Sequence, residues 1–301
     1  MDDTHAGDAA AQPFMQDRQI LQRNFERAAL SFSRGDALHR EIGTRMLERF
    51  EVIRLAPRRI LDLGCGTGAA TAGLQARFPG AGMFGLDFAI GMARAVAPPV
   101  AGWRRWWRGA PQLTAICGDM AALPFAGSAF GLVWSNLALH WLDDPAPAIR
   151  EAQRVLETGG LFMFSTLGPD TLRELRAAFD TAGGGWHVKR FIDLHDIGDT
   201  LASAGFGAPV IDMEILTLTY ADLDGLFADL RSTGSGNAMA GRNRALTGAA
   251  RMRRVHAAYE KLRRDGRLPA TFEVIYGHAW KNAPRRTGSG ESVVNFAPRR
   301  K

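Results

Sequence analysis

The chain has 301 residues, of which 46% are hydrophobic and 23% are charged. These fractions are ordinary for a globular protein with a substantial core. No apolar run approaches the roughly 20 residues of a membrane helix, and residues 1–13 lack the basic start and apolar centre of a secretory signal. With two cysteines, Cys65 and Cys117, and no grouped histidines, the sequence indicates no disulfide framework and no metal site, and it predicts a cytoplasmic protein.

Helical and strand patterns alternate along most of the chain. Two helices, over residues 18–32 and 36–50, precede the first strand, and residues 1–13 and 281–301 are predicted to be flexible tails around one domain over residues 14–280. Alternation at this spacing favours an α/β fold with a mainly parallel sheet, whose ligand crevice lies at the carboxyl ends of the strands. Strands are predicted at 59–64, 82–86, 113–117, 130–135, 160–166, 210–219 and 270–280.

A glycine-rich turn follows the first predicted strand. Gly64, Gly66 and Gly68 alternate with other residues there, which is typical of a backbone that turns sharply and approaches a ligand. Asp87 ends the second strand, where a carboxylate can accept hydrogen bonds from both hydroxyls of a ribose. Because Gly64, Gly66 and Ala69 also fit the dinucleotide pattern G-x-G-x-x-G/A, this part of the sequence predicts an adenosine-containing cofactor without choosing between cofactors.

The ends of the third and fourth strands distinguish the two cofactor hypotheses. Gly118-Asp119-Met120 and the segment from Ala122 to Trp141 closely resemble the class I S-adenosylmethionine-dependent methyltransferases. The resemblance implies a Rossmann-like, mostly parallel seven-stranded sheet with helices on both faces, N-terminal helices and a helical lid insertion over about residues 170–265. It also implies that S-adenosylmethionine is held by Asp62, Gly64, Cys65, Gly66, Gly68, Asp87, Met92, Asp119, Met120, Asn136 and Leu137. The dinucleotide-dehydrogenase hypothesis becomes a minor alternative.

Other segments narrow the resemblance to one family. Residues 167–175, 191–198, 229–234 and 268–280 are similar to the malonyl-acyl-carrier-protein O-methyltransferases of biotin synthesis, which methylate the free carboxylate of a malonyl thioester. One position departs from the family pattern: this chain has Phe32 where the family usually has a tyrosine over the cofactor. The departure removes a hydroxyl close to the expected reaction centre.

The chemistry that this family implies needs no general base. A carboxylate is already ionised at neutral pH, so catalysis would consist of holding one of its oxygens about 3 Å from the methyl carbon, in line with the carbon–sulfur bond. A buried carboxylate needs a cationic partner, and a bidentate arginine is the best one. The candidates are Arg190, Arg242 and Arg244, while His140 and Trp141 are expected to line the pocket and position the substrate.

Lysine and arginine exceed the acidic residues by 37 to 31, and the net charge is +6. One basic cluster, residues 103–108, consists of three arginines and three tryptophans. A second lies on a predicted helix over residues 248–264, and we expect its Arg251, Arg254 and Arg263 to contribute to the docking of an acidic acyl-carrier protein. The second interpretation of this cluster is a solvated helix face that binds no partner, and the third is a surface that binds RNA. No membrane partner is predicted, because the helix lacks a clean apolar stripe.

Two other functions stay open at this point. The chain could methylate another small acid or a quinone precursor with the same cofactor residues and a different lid. It could also bind S-adenosylmethionine without methylating, as an assembly or modification factor, since its C-terminal segments are similar to a mitochondrial complex I assembly factor that hydroxylates an arginine. The phenylalanine at position 32 favours this second alternative, and the intact glycine turn and Asp119 count against a lost cofactor site.

Overall fold

The computed structural model describes residues 15–96, 113–243 and 247–283. The predicted tail over residues 1–13, all but three residues of the C-terminal tail, the basic cluster at 103–108 and Arg244 lie outside the described residues.

Two helices precede the sheet. Helix α1, Arg18–Ala28, begins at Asp17, whose carboxylate accepts a hydrogen bond from the Ile20 N–H. It ends earlier than predicted, because the Ser31 hydroxyl bonds to the Ala28 and Ser232 carbonyls and a 3₁₀ turn over Phe32–Arg34 follows. Helix α2 covers Ala37–Glu48.

The described strands form one seven-stranded sheet in the order β3-β2-β1-β4-β5-β7-β6. Strands β1 to β5 pair in parallel, and β7 is antiparallel to both of its neighbours, β5 and β6. This arrangement confirms the predicted mostly parallel, seven-stranded sheet. The strands are β1 Arg59–Leu63, β2 Gly82–Asp87, β3 Thr114–Cys117, β4 Phe130–Ser135, β5 Leu156–Leu167, β6 Gly207–Tyr220 and β7 Leu268–Trp280.

Helices cover both faces of this sheet. The remaining helices are α3 Ala69–Arg77, α4 Ile90–Val96, α5 Ala146–Val155, α6 Arg173–Thr181, α7 Leu194–Ser203, α8 Leu223–Ser232 and α9 Ala249–Glu260. Alternate residues of β4 divide between two separate cores, since Leu132 packs with α2, α3, α6 and α9 while Val133 packs with α5 and α7. The central strands are therefore buried on both sides, as their continuous apolar sequences predict.

The segment between β5 and β7 supplies the predicted lid region. It contains α6 to α9 and the long strand β6, and α9 packs mainly on α6. None of the helices within the described ranges is long and apolar enough to cross a membrane.

We expect the substitution Leu132→Ala to lower the free energy of unfolding by about 2 to 5 kcal/mol, because it leaves a cavity in the fully buried centre of the sheet. The matched control is Leu30→Ala, since Leu30 is 94% exposed and its replacement should change the value by less than about 0.5 kcal/mol. Urea unfolding followed by circular dichroism measures both. Equal effects of the two substitutions would contradict this account of the core.

Candidate functional site

The glycine turn after β1 has the backbone shape that its sequence predicts. Gly64, Gly66 and Gly68 all have positive φ angles, of 77°, 52° and 88°. At Gly64 a side chain is excluded by space as well, because an added Cβ would lie 2.3 Å from the Ala138 Cβ. The turn is held to β2 by hydrogen bonds from the Gly64 and Cys65 N–H groups to the Leu86 carbonyl. The chain thus passes the end of β4 at a distance that only glycine permits.

Two buried carboxylates flank this turn. Asp87 accepts hydrogen bonds from the Gly66 N–H at 3.0 Å and the Ala89 N–H at 2.9 Å, and burial raises its pKa to about 6 against these bonds. Asp62 accepts a 2.5 Å bond from the Thr71 hydroxyl, and burial, with a contribution from the Asp87 charge, raises its pKa to about 7. Asp62 braces the turn against α3, whereas Asp87 faces the crevice.

The end of β4 is fixed by Asn136. Its side-chain oxygen accepts a 2.8 Å hydrogen bond from the Ser165 hydroxyl on β5, and its nitrogen donates a 2.8 Å bond to the His39 carbonyl on α2. The next residue, Leu137, has a φ of 51°, which is strained for a branched side chain. Bonds from the Leu137 N–H to the Ser165 carbonyl and hydroxyl hold it there. These contacts turn the chain across the crevice.

Helix α1 closes over the same strand ends. The Phe25 ring makes edge-to-face contacts with Phe88 after β2 and with Trp141 after β4, at centroid distances of 5.6 and 5.2 Å. At the start of the helix, Arg18 forms a 2.7 Å ion pair with Asp119. Partial burial raises the pKa of Asp119, but bonds from the Ala121 N–H and Arg18 outweigh it and leave the pKa below its ordinary value.

These elements enclose a cavity that we call the strand-end pocket. Seven of the eleven residues predicted to hold the cofactor line it: Gly64, Gly66, Asp87, Met92, Met120, Asn136 and Leu137. The other four predicted residues, Asp62, Cys65, Gly68 and Asp119, lie around it without lining it. Lining residues for which the sequence predicts no role are Phe25, His39, Phe88 and Ala138.

Phe32 lies in the wall of the strand-end pocket. Its Cζ atom would be 3.8 Å from a Cβ added at Gly66, and its ring meets the His39 ring at a centroid distance of 5.0 Å. The ring therefore covers the glycine turn by apolar contact, in the region where the sequence comparison expects a tyrosine.

A second, larger cavity adjoins the first, and we call it the apolar chamber. It has about 920 Å³ of atom-free space, and His39, Leu137 and Trp141 line both cavities, so they form the junction. Most of its wall is aliphatic or aromatic, with Leu38, Leu167, Leu172, Leu175, Val188, Phe191, Leu218, Leu230 and Phe272 among the lining residues. Lys189 and His140 line it as well. Both predicted positioning residues, His140 and Trp141, thus belong to the chamber.

Two of the three arginines predicted to bind a substrate carboxylate, Arg190 and Arg242, lie among the described residues. Arg190 is exposed and lines two neighbouring cavities, one of which Lys189 and Phe191 also line. Arg242 donates a 2.9 Å bond to the Met239 carbonyl and lies 3.8 Å from Asp17, so it holds the loop before residue 243 against the N-terminal segment. Neither lines the apolar chamber. The assignment of a substrate arginine stays a prediction.

The basic helix α9 adjoins the wall of the chamber. Arg251 donates a hydrogen bond to the Gly184 carbonyl and lies 3.2 Å from the His187 ring, and Arg254 donates to the Ala182 carbonyl. Arg263 pairs with Glu260. The three arginines predicted for partner docking thus also make internal contacts, and the neighbouring basic residues Arg253, Lys261 and Arg264 are exposed.

Comparison with known proteins agrees with this geometry. Residues 61–164, which carry the glycine turn and the β4 end, match the family model of a methyltransferase domain. Among solved structures, the YcgJ protein from Bacillus subtilis superposes with a TM-score of 0.55 at 17% identity, and the comparison covers 80% of this chain and 99% of that one. A methyltransferase from Thermotoga maritima superposes with a TM-score of 0.50 at 16% identity, over 87% of this chain and all of that one. At these identities the two structures establish the fold alone.

Closer relatives cover almost the whole chain. A malonyl-[acyl-carrier protein] O-methyltransferase from Gallionella capsiferriformans is 48% identical over 93% of this chain and 97% of its own length. Another from Methylovorus is 47% identical over 96% of this chain and 98% of its own length. The similarity includes the segment between β5 and β7 and the last strand as well as the methyltransferase core. The chain belongs to the family of malonyl-[acyl-carrier protein] O-methyltransferases.

Proposed function

We propose that this enzyme transfers the methyl group of S-adenosylmethionine to the free carboxylate of a malonyl thioester carried on acyl-carrier protein. The observation that carries the proposal is the junction of two cavities, one at the strand ends with a carboxylate for ribose and one with an apolar wall, which meet at His39, Leu137 and Trp141. The identity of 48% to a relative with this activity supports the choice of acceptor.

The strand-end pocket fits the cofactor by the chemistry of its wall. Asp87 offers carboxylate oxygens to the ribose hydroxyls, and the glycine turn lets the backbone approach the ligand. Met120 lines the pocket and would supply an apolar surface for the adenine ring. When bound, the cofactor would supply an electrophilic methyl group on a positively charged sulfur. The residues of the chain hold and orient it.

The apolar chamber fits an acceptor that needs no deprotonation. Burial lowers the pKa of His39 to about 4 and that of His140 well below its ordinary value, so both rings are neutral at pH 7. A malonyl carboxylate is already ionised, and the reaction needs positioning and exclusion of water rather than a base. The atom-free space of about 920 Å³ includes the opening of the chamber to solvent, through which the arm that carries the thioester would enter.

A docking surface for the carrier protein is proposed on α9. The exposed cations Arg253, Arg254, Lys261 and Arg264 lie on or just after this helix, and Arg251 joins it to residues 184 and 187, next to the chamber wall. Acyl-carrier proteins are small and acidic, so complementary charge would speed encounter and bring the thioester close to the chamber. Because Arg251 contacts the Gly184 carbonyl and the His187 ring, it holds the docking surface in shape more than it adds to the positive charge of that surface.

The first prediction concerns cofactor binding and pH. Protonation turns Asp87 from an acceptor of the ribose hydrogen bonds into a group with one donor, so the affinity for S-adenosylhomocysteine should fall as the pH drops through about 6. Asp87→Asn should weaken binding about 10- to 100-fold at pH 7.5 and remove this part of the pH dependence. Asp199→Asn, on the exposed side of α7, is the control. Isothermal titration calorimetry from pH 5 to 8 measures the affinities, and an unchanged profile in Asp87→Asn would contradict the assignment.

The second prediction concerns the reaction. With methyl-labelled S-adenosylmethionine, we expect label on malonyl-carrier protein, detected by mass spectrometry and removed by an esterase, and none on acetyl-carrier protein, which has no free carboxylate. Malonyl-coenzyme A should also react, more slowly. Tight cofactor binding without label on either malonyl thioester would reject the proposed acceptor, and it would favour another acid or a role without methyl transfer.

The third prediction concerns docking. Reversing two charges with Arg253→Glu and Lys261→Glu should lower kcat/KM for malonyl-carrier protein about 10-fold at low ionic strength and leave that for malonyl-coenzyme A unchanged. The difference should shrink in high salt. The pair Arg54→Glu and Arg58→Glu carries the same charge change at exposed positions before β1 and serves as the control. Equal losses in the two double variants would reject a local docking face.

A further inference from the structure

Lys189 lines the apolar chamber and also the neighbouring cavity that His140, Leu142, Asp143 and Arg190 line, so its side chain lies between the two. Its ammonium group donates a 3.2 Å hydrogen bond to the Leu142 carbonyl, directly after the turn that carries His140 and Trp141. No other hydrogen bond of this ammonium is present among the described residues, so two of its three donors are available. An ammonium with spare donors in an apolar wall is costly unless an anion binds there.

Unpartnered polar atoms lie on the same wall. Gln16 Nε2 and His140 Nδ1 are buried and have no hydrogen-bond partner among the described residues, and the same holds for His39 Nδ1 at the junction with the strand-end pocket. The Gln16 and His140 residues are only 8% and 7% exposed, so bulk water does not satisfy these atoms. An amide nitrogen and a neutral imidazole can both donate to an anion.

The charges around Lys189 leave the ammonium positive. Burial lowers its pKa to about 8, and the Asp143 carboxylate opposes this shift, so the group is protonated at neutral pH. Asp143 itself is exposed, and both of its carboxylate oxygens accept a hydrogen bond from the Gln16 backbone N–H. The facing His140 and His39 rings are neutral, because burial lowers the pKa of each. At neutral pH Lys189 is thus a cation, and the His140 and His39 rings beside it are uncharged.

We propose that Lys189, with Gln16 and His140, binds the free carboxylate of the acceptor and makes the enzyme select acyl groups that end in a carboxylate. This inference rests on the proposed function for its choice of acceptor. The ammonium binds the carboxylate on the chamber side, and the cofactor approaches from the strand-end pocket through the junction. An acyl group without the carboxylate leaves the cation and the two donors unpaired, and is therefore rejected.

The test compares binding of two thioesters to the enzyme saturated with S-adenosylhomocysteine, so that no reaction is needed. Malonyl-coenzyme A should bind about 10- to 100-fold more tightly than acetyl-coenzyme A to the unmodified enzyme. Lys189→Gln should reduce this ratio to near 1 by weakening malonyl binding, with acetyl binding unchanged. Lys189→Arg should retain most of the ratio. Arg58→Gln removes a positive charge at the opposite end of β1 and should leave the ratio unchanged.

A pH profile separates direct binding from a structural role. Because the carboxylate binds the ammonium form, malonyl affinity should be constant below about pH 8 and fall above it as the unliganded lysine loses its proton. In Lys189→Arg the affinity should stay constant to pH 10, since a guanidinium keeps its proton. If Lys189 only held Leu142 in place, malonyl affinity would not fall above about pH 8 in the unmodified enzyme. Lys189→Arg would then leave the pH profile unchanged.

The outcomes distinguish this inference from the proposed function. An unmodified enzyme that does not prefer the malonyl thioester, or a Lys189→Gln variant that keeps the preference, would overturn the assignment of Lys189. An enzyme that shows the lysine-dependent preference but transfers no methyl group to malonyl thioesters would support the carboxylate site and reject the proposed reaction. Cofactor affinity should be the same in all variants, which shows that each one is folded.

Discussion

The site depends on the close crossing of two chain segments at the carboxyl end of the sheet, the glycine turn after β1 and the strained turn after β4. Asn136 holds the crossing by bonding to Ser165 on β5 and to the His39 carbonyl on α2. Gly64 permits it, because any side chain there would meet Ala138. The same crossing places Leu137 in both cavities. Loss of these bonds would release the wall between cofactor and acceptor, so the backbone strain at Leu137 is retained where it has a function.

The N-terminal segment converts an open crevice into two connected cavities. Phe25 packs against Phe88 and Trp141, and Gln16 bonds to Asp143, so a segment from before the core fold covers both the strand-end pocket and the apolar chamber. The Arg18–Asp119 ion pair joins the start of α1 to the segment after β3, and because it is exposed it contributes little to stability.

The sequence predicts the sheet and the wall of the strand-end pocket well because both follow from local patterns. Apolar runs, glycines and acidic residues at strand ends can be recognised directly in the sequence. The predicted residues Gly66, Asp87 and Asn136 all line the strand-end pocket. The chamber carries no such signal. His39 is one polar residue on a helix, and the choice between Lys189 and Arg190 depends on which way an irregular segment turns, which periodicity does not determine. The sequence argument considered arginines only, because a bidentate guanidinium is the best partner for a carboxylate, and so it did not consider Lys189.

The uncharged histidines explain how one cation can set the chemistry of the acceptor site. A charged His39 or His140 beside Lys189 would compete for the carboxylate and repel the positively charged sulfur of the cofactor, whereas neutral rings add only hydrogen bonds. A carboxylate held between the ammonium and the sulfonium of a bound cofactor would meet opposite charges on both sides, and methyl transfer would leave a neutral ester and a neutral thioether. The product ester then leaves Lys189 without a counter-charge. The electrostatic attraction that brings the acceptor in is therefore lost on methylation, which favours release of the product over rebinding.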